Sequence, residues 1–244
     1  AYVPLIESAF KPNAVSRAKA RGVWQFMAGT ALAHGLKRDW YVDERSDPEK
    51  STRAAARYLR SLVRTFDGDW HLALASYNGG PGRVQRALKR FGKDDFWSLA
   101  AHPRALPRET REYVPMILAA IIIARNPTEY GFDALKADLG VTHEKVRVGR
   151  PVDLRRVAEW TGTSAEAIQE LNPELRRWTT PVRDPDYELK VPVGTAGTLQ
   201  ARLEETATAE MAALQWYTVR RGETLQSIAR KLGVSRANLA EANY

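Results

Sequence analysis

Ile6-Glu7-Ser8-Ala9-Phe10-Lys11-Pro12, followed by Ser16 and then by Gly22-Val23-Trp24-Gln25-Phe26-Met27, is the stretch that decides how this chain reads. One carboxylate ends an apolar run, a short polar loop follows, and a Gln-aromatic-Met step opens the next element. A carboxyl held at the edge of a core is disfavoured as an anion, and the raised pKa that results suits a proton donor. Taken alone, Glu7 is a surface carboxylate at a helix end. Two later blocks change that weighting: Ala75-Ser76-Tyr77-Asn78-Gly79-Gly80 and Glu109-Thr110-Arg111-Glu112-Tyr113-Val114-Pro115.

Around these blocks the first half reads as helical. Arg53 to Val63 repeats Ala and Leu at helical spacing with Arg between, giving one apolar and one basic face. Asp69 is a candidate N-cap for Trp70–Tyr77, and Gly79-Gly80-Pro81-Gly82 stops that helix. Arg83–Arg90 is a further short helix, and Pro107 opens another with Glu109 near its positive end. Met116 to Ala124 is too short to span a bilayer and reads as a buried core helix.

The second half changes character and repeats itself. Shifted by 71 residues, Val148 falls on Val219, Leu154 on Leu225, Ala158 on Ala229, Gly162 on Gly233, Ser164 on Ser235, Ile168 on Leu239 and Asn172 on Asn243. Each copy reads as strand, helix, Gly turn, Ser-capped helix and Asn stop. Tyr187 to Pro192 supplies a closing strand to the first copy, whereas the second reaches Tyr244 before any such strand.

The three blocks in this order resemble the lytic transglycosylases of the soluble-lytic-transglycosylase, goose-lysozyme-like family, closest to its membrane-bound D type. The second repeat copy, Tyr217 through Ser235, resembles a LysM module. The first departs from that pattern, with Pro151-Val152-Asp153 in place of Gly222-Glu223-Thr224 and a long insert between Asn172 and Tyr187, and reads as a degenerate LysM. The fold implied is mainly α: a lysozyme-like all-α catalytic domain at 1–132, a linker at 133–144, a βααβ LysM-like module at 145–194, an Ala- and Thr-rich linker with some helical tendency at 195–215, and a C-terminally truncated LysM module at 216–244.

The resemblance implies a reaction. Glu7 would protonate the bond between N-acetylmuramic acid and N-acetylglucosamine, then accept the C6 hydroxyl proton as that oxygen closes on C1, leaving a 1,6-anhydro end. Ser16, Gln25, Met27, Tyr77, Asn78 and Tyr113 match the family's substrate-binding positions, with Tyr113 the tyrosine whose hydroxyl reaches the acid. Against these stand plainer readings: Ser16 as a loop cap, Met27 and Tyr113 as core, and Trp24 and Trp97 as packing rather than sugar stacking. Gly79 and Gly80 let a glycan approach the backbone. Lys19 stands where many members carry Gly. Gly222, Glu223, Thr224 and Leu225 are the LysM positions expected to contact glycan, weakly here because the closing strand is missing.

Ordinary glycoside hydrolysis needs two flanking carboxylates. The next acidic residue after Glu7 is Asp39, and Glu109 is the candidate for a second. A hydrolase of the same polymer therefore stays open, as does a non-catalytic wall-binding scaffold.

Charge points to the partner. Residues 1–132 hold 21 Lys and Arg against 13 Asp and Glu, net +8, while 133–244 hold 16 of each. Such a field is either a solvated basic face or an attraction to an acidic polymer. Peptidoglycan with its stem-peptide carboxylates fits, and no nucleic-acid-binding motif accompanies the charge. The chain has no cysteine, and its four histidines lack ligand spacing, so neither a metal nor a cofactor is expected. The resemblance and its substrate, rather than any signal in these residues, imply a periplasmic site with or without an outer-membrane anchor; an export signal or lipid-anchor cysteine would lie upstream.

Overall fold

The computed structural model describes residues 2–132, 134, 140–206 and 217–241. They divide into two compact units, Ala1–Arg38 with Asp43–Leu139 and Asp39–Val42 with Gly140–Tyr244. The first unit is helical: α1 (Tyr2–Ser8), α2 (Ala28–Ala33), α3 (Pro48–Thr65), α4 (Trp70–Gly79), α5 (Pro81–Phe91), α6 (Phe96–Ala100) and α7 (Arg108–Arg125).

Local chemistry sets these boundaries. α3 starts five residues before the periodic Ala/Arg stretch because Asp47 caps it, accepting from the Lys50 N–H at 2.8 Å, and Pro48 takes its first turn. Its apolar face buries Ala54, Ala55 and Leu62, and Arg53, Arg57, Arg60 and Arg64 face water. Asp69 caps α4 through the Leu72 N–H. Gly80, at φ +86°, turns the chain straight into α5. Two apolar clusters form, one around Trp24, Phe26, Ala54 and Tyr113, the other around Leu72, Val84, Phe96 and Val114, and Leu74 of α4 packs against both.

The Met116–Ala124 run is helical but is not the buried core helix expected from its composition. Within it only Ile117 is buried, while Met116 and Ile122 are 41% and 51% exposed. A helix meets its core along one stripe. Here that stripe is Tyr113, Val114 and Ile117, so uniform apolarity leaves other sides in water.

The second unit pairs β1 (Glu144–Arg147) antiparallel with β2 (Glu188–Val191), Glu144 opposite Val191 and Arg147 opposite Glu188. Between them lie α8 (Leu154–Thr161) and α9 (Ala165–Leu171). Two further helices, Leu225–Lys231 and Arg236–Glu241, begin 71 residues after α8 and α9. The repeat extends to the caps, Asp153 and Thr224, and to the left-handed turns at Gly162 (φ +66°) and Gly233 (φ +67°). Burial does not follow the repeat: Val148 is 4% exposed, whereas Val219 is 63% exposed. The chain stop of the first copy has a clear cause. Asn172 is fully buried, donates to the Ile168 and Lys190 carbonyls at 2.8 Å each, and accepts from the Lys190 N–H at 2.9 Å. One amide thus closes α9 onto β2. Asn243, its counterpart, lies outside the described residues.

The stretch read as a linker at 195–215 begins with a helix, α10 (Ala196–Glu205), whose Leu199 and Leu203 join the core of the first module. The helical tendency of this stretch is thus realised over its first part, and the i,i+4 leucine pair sets the face that is buried. Residues 207–215, and most of the expected 133–144 linker before Gly140, lie outside the described residues.

Replacing Asn172 with Ala removes the side-chain partner of the Lys190 N–H and carbonyl, while the Ile168 carbonyl keeps the backbone N–H of residue 172. The second unit is expected to lose about 2–3 kcal/mol, read from its own denaturant transition. A loss below about 0.5 kcal/mol would contradict this account of the stop.

Candidate active site

α1 presents Glu7 one residue before its end. The helix stops because Ala9 (φ +49°) and Phe10 (φ +60°) turn left-handed, a strained choice for side-chain-bearing residues of about 1–2 kcal/mol each. Ser8 donates to the Val23 carbonyl at 2.9 Å, which fixes the end of α1 to the following loop. α7 passes alongside and aims Tyr113, 2% exposed, at the acid: its hydroxyl donates to Glu7 Oε1 at 2.6 Å.

Burial pushes the Glu7 carboxyl above the ordinary glutamate value. The Tyr113 hydrogen bond opposes that shift, and the negative charge of Glu109 adds to it. Tyr113 is itself pushed far up, by burial first and then by the charge and hydrogen bond of Glu7, so it stays a donor throughout the working range. Tyr77 is also raised by burial and then by Glu7.

The Tyr77 hydroxyl donates to the Trp24 carbonyl at 2.8 Å, holding the loop beside Glu7. Asn78, matched to a substrate-binding position, has both ends of its amide engaged. Its Nδ2 donates to Glu109 at 3.0 Å and its Oδ1 accepts from Thr110 at 2.8 Å, joining the end of α4 to the start of α7. Gly79 serves the same junction, since a Cβ there would lie 2.9 Å from Thr110 Cγ2. Its lack of a side chain admits α7 rather than a glycan.

The loop residues divide similarly. Ser16 Oγ accepts from the Ala20 N–H at 3.0 Å, as a loop cap does, and its hydroxyl proton has no protein acceptor among the described residues. Gln25, at φ +47°, spends its amide donors on the Gly22 and Ala14 carbonyls at 2.9 and 3.2 Å, leaving its Oε1. Met27 is 49% exposed and is not core. Trp24 is buried, donating to Thr52 Oγ1 at 2.8 Å, so it packs. Trp97 is 46% exposed, edge-on to His71 and Phe96. Lys19 sits at φ +63°, which explains why glycine suits that place.

In the second LysM copy, Gly222 makes a turn at φ +88°. Glu223 accepts from the Tyr217 hydroxyl, the Arg220 N–H and the Lys231 ammonium, with its carboxyl held down at about 2 by Lys231 first and then Tyr217. Thr224 and Ser227 form a capping box in front of Leu225. Glu223 and Thr224 thus maintain the turn.

Sequence reading gave no role to Asp43-Glu44-Arg45-Ser46-Asp47, all buried. Arg45 grips Asp43 through Nε and Nη2 at 2.8 and 2.7 Å, and its Nη1 donates to the Lys19 and Phe26 carbonyls, each at 3.0 Å. The available signal was a dense polar run ending in an Asp-Pro helix start. No group of three or more His, Cys, Asp and Glu among the described residues could hold a metal.

Comparison with known proteins adds a second line of observation. Residues 1–100 match the Transglycosylase SLT domain, 142–208 the LysM-like domain of lytic transglycosylase MltD, and 217–243 the LysM domain. The chain is 38% identical to the membrane-bound lytic murein transglycosylase D of Escherichia coli K12, over 99% of this chain and 55% of that one. It is 41% identical to the peptidoglycan transglycosylase gp16 of Escherichia phage T7, over 40% of this chain and 8% of that one. The soluble lytic murein transglycosylase of Salmonella typhimurium is 35% identical over 46% of this chain and 18% of its own length. The chain spans about half the length of its Escherichia coli relative.

Two outcomes follow from the geometry. Tyr113→Phe removes the contact that lowers the Glu7 pKa, so the Glu7 carboxyl should titrate higher still, as read by carbon NMR of the labelled carboxyl; an unchanged or lower midpoint would contradict the contact. A carboxyl whose folded pKa is raised also costs stability as pH climbs from its unfolded value through its folded one. Glu7→Gln should therefore match the parent near pH 4 and exceed it in stability at pH 8. Equal stability at both pH values would show that the burial is not felt.

Proposed function

The chain belongs to the lytic transglycosylases of the SLT family, and from that premise we propose that it cleaves the N-acetylmuramic acid–N-acetylglucosamine bond of peptidoglycan without water. The observation that carries this reading is a single carboxyl, Glu7, burial-raised in pKa and fixed by one tyrosine hydroxyl.

The steps follow from that arrangement. Protonated Glu7 gives its proton to the glycosidic oxygen, and the bond from that oxygen to C1 breaks. Positive charge develops at C1, and the acetamido oxygen of the same sugar steadies it. Glu7, now a carboxylate, takes the C6 hydroxyl proton while O6 bonds to C1, closing the 1,6-anhydro ring. Raised pKa suits the first step, because the acid must hold its proton near neutral pH. Tyr113 suits the second, because its O–H stabilises the carboxylate formed midway. The hydroxyl proton of Ser16 and the Oε1 of Gln25 are the free groups of the loop that can meet an acetamido group.

Hydrolysis is the competing reading, since the charge of Glu109 reaches Glu7. Glu109, however, receives Asn78 at 3.0 Å and belongs to the α4–α7 junction. This supports a structural carboxylate rather than a base that activates water.

Of the two LysM copies, the second is the one that brings glycan affinity to the same polymer. In the first copy the edge equivalent to Glu223–Leu225 is covered by its own insert. The Val152 N–H donates to Thr180 Oγ1, the Thr180 N–H to the Val152 carbonyl, and the Leu154 N–H to the Trp178 carbonyl. That edge has no room for a sugar, so chitooligosaccharide should leave the amide NMR shifts of residues 145–194 unchanged; saturable shifts there would contradict the assignment. A wall-facing, periplasmic site of action with a lipid anchor upstream fits the substrate. No helix among the described residues is long and apolar enough to cross a membrane.

Digestion of purified peptidoglycan tests the proposal. The native chain should release anhydro-muropeptides, one water lighter than hydrolysed ends by mass spectrometry. Glu7→Gln, which keeps the shape but not the acidic proton, should lower the rate by about 10²–10⁴-fold. Near-native activity in that variant would remove Glu7 from the chemistry.

A further inference from the structure

Four of the five non-glycine residues with left-handed backbone in the described chain, Ala9, Phe10, Lys19 and Gln25, lie between the acid and Phe26. Such strain persists only where the surroundings over-determine it. The loop's own bonds are local: the Gly22 N–H to the Ala14 carbonyl at 2.9 Å, the Ser16 N–H to the Ala20 carbonyl at 2.9 Å, and a reciprocal pair between Arg21 and Phe26 at 3.1 Å each. These close the loop on itself and do not fix it to the helical body.

Three bonds tie its Val23–Trp24 step to α1, α3 and α4, and the attachment of the rest comes from the buried run behind the loop. Arg45 and Asp43 have side chains only 6% and 5% exposed. A guanidinium fork held by a carboxylate through Nε and Nη2 is rigid, and the two N–H groups of Nη1 are aimed elsewhere. Both go to the loop, to the carbonyls of Lys19 and Phe26, the two ends of the segment that carries Gln25. Alongside, Arg21 Nε donates to Ser46 Oγ at 2.7 Å. The loop is pressed so closely against this run that a Cβ on Gly22 would lie 1.7 Å from the Arg45 carbonyl oxygen. Burial pushes the Asp43 carboxyl up, but the hydrogen bonds and charge of Arg45 outweigh it and leave the carboxyl below its ordinary value.

We propose that the Asp43–Arg45 pair is the positioning element of the reaction, a buried brace that holds the strained 14–26 loop in the conformation that sets Val23 against Ser8, Trp24 against Tyr77, and Ser16 and Gln25 toward the substrate. Arg45 touches no reacting atom. It acts by fixing two carbonyls of the loop, and the proposal rests on the transglycosylase reading for what that loop then does.

Two substitutions and one cross test the brace. Arg45→Lys keeps the charge beside Asp43 but loses the fork and its two loop contacts. Asp43→Asn is milder, because its amide oxygen still accepts from Arg45 Nε. The readouts are kcat and KM on sonicated peptidoglycan glycan strands, at a temperature where circular dichroism shows each protein folded, and amide hydrogen exchange along the chain. Arg45→Lys should lower kcat/KM by about 10- to 100-fold, the cost of small misplacements at a reacting centre. Exchange should accelerate in residues 14–26 while α4 and α5 keep their rates. Lys19→Gly relieves strain at φ +63°, so it should recover several-fold of the lost activity in the Arg45→Lys chain and change the native chain less than twofold. Unchanged activity per folded molecule, exchange that accelerates evenly throughout the unit, or no recovery on Lys19→Gly would each overturn the proposal. If the native chain cleaves no glycan, the transglycosylase reading fails, and the exchange pattern still decides whether the brace holds the loop.

Discussion

A carboxyl removed from water beside one phenolic hydroxyl is the interaction on which the rest of the first unit depends. Glu7 is the penultimate residue of a seven-residue helix too short to hold itself, so its place is set by neighbours: Tyr113 of α7 across 2.6 Å and the Ser8–Val23 contact one residue on. Each neighbour needs its own support. α7 reaches the acid only because Gly79 lets Thr110 in, and Asn78 locks that approach from both ends of its amide. Several residues expected to grip substrate are therefore engaged in making the acid possible.

The loop from Ala9 to Phe26 has the opposite character. It carries unfavourable backbone geometry at four side-chain-bearing positions and is held from outside, by a buried arginine whose carboxylate partner keeps it aimed. A buried ion pair contributes little net stability, and its cost is justified where it fixes one arrangement among several. Geometry at the acid and strain in the loop are thus two sides of one design: helices supply the fixed wall, and the loop supplies polar groups in positions a relaxed chain would not hold.

Legibility in the sequence followed the range of the interactions. Local signals were readable. Asp69 before Trp70, the Gly-Gly-Pro-Gly stop and the 71-residue repeat each act within a few residues, and the corresponding caps and turns are present. Glu7 and Tyr113 were named through resemblance, but the distance between them joins positions 106 apart and no local pattern encodes it. Where a side chain has two uses, sequence displays only one of them. Asn78 and Gly79 suit a sugar as well as the helix junction they form, and Gln25 gives its donors to its own loop carbonyls while its Oε1 is left for an acetamide. The Met116–Ala124 run failed for a different reason, since composition gives apolarity but not which faces meet a partner. Asp43 and Arg45 went unread because buried ion pairs resemble surface charge in sequence.

The central claim is that one carboxyl serves as acid and then base while the sugar's own hydroxyl replaces water. Digesting peptidoglycan in water enriched in oxygen-18 tests it most directly. Transglycosylation through Glu7 predicts released fragments with anhydro ends and no heavy oxygen. Fragments carrying one heavy oxygen at a reducing end would contradict the account, because water would then have attacked C1 and a second group would be needed to activate it.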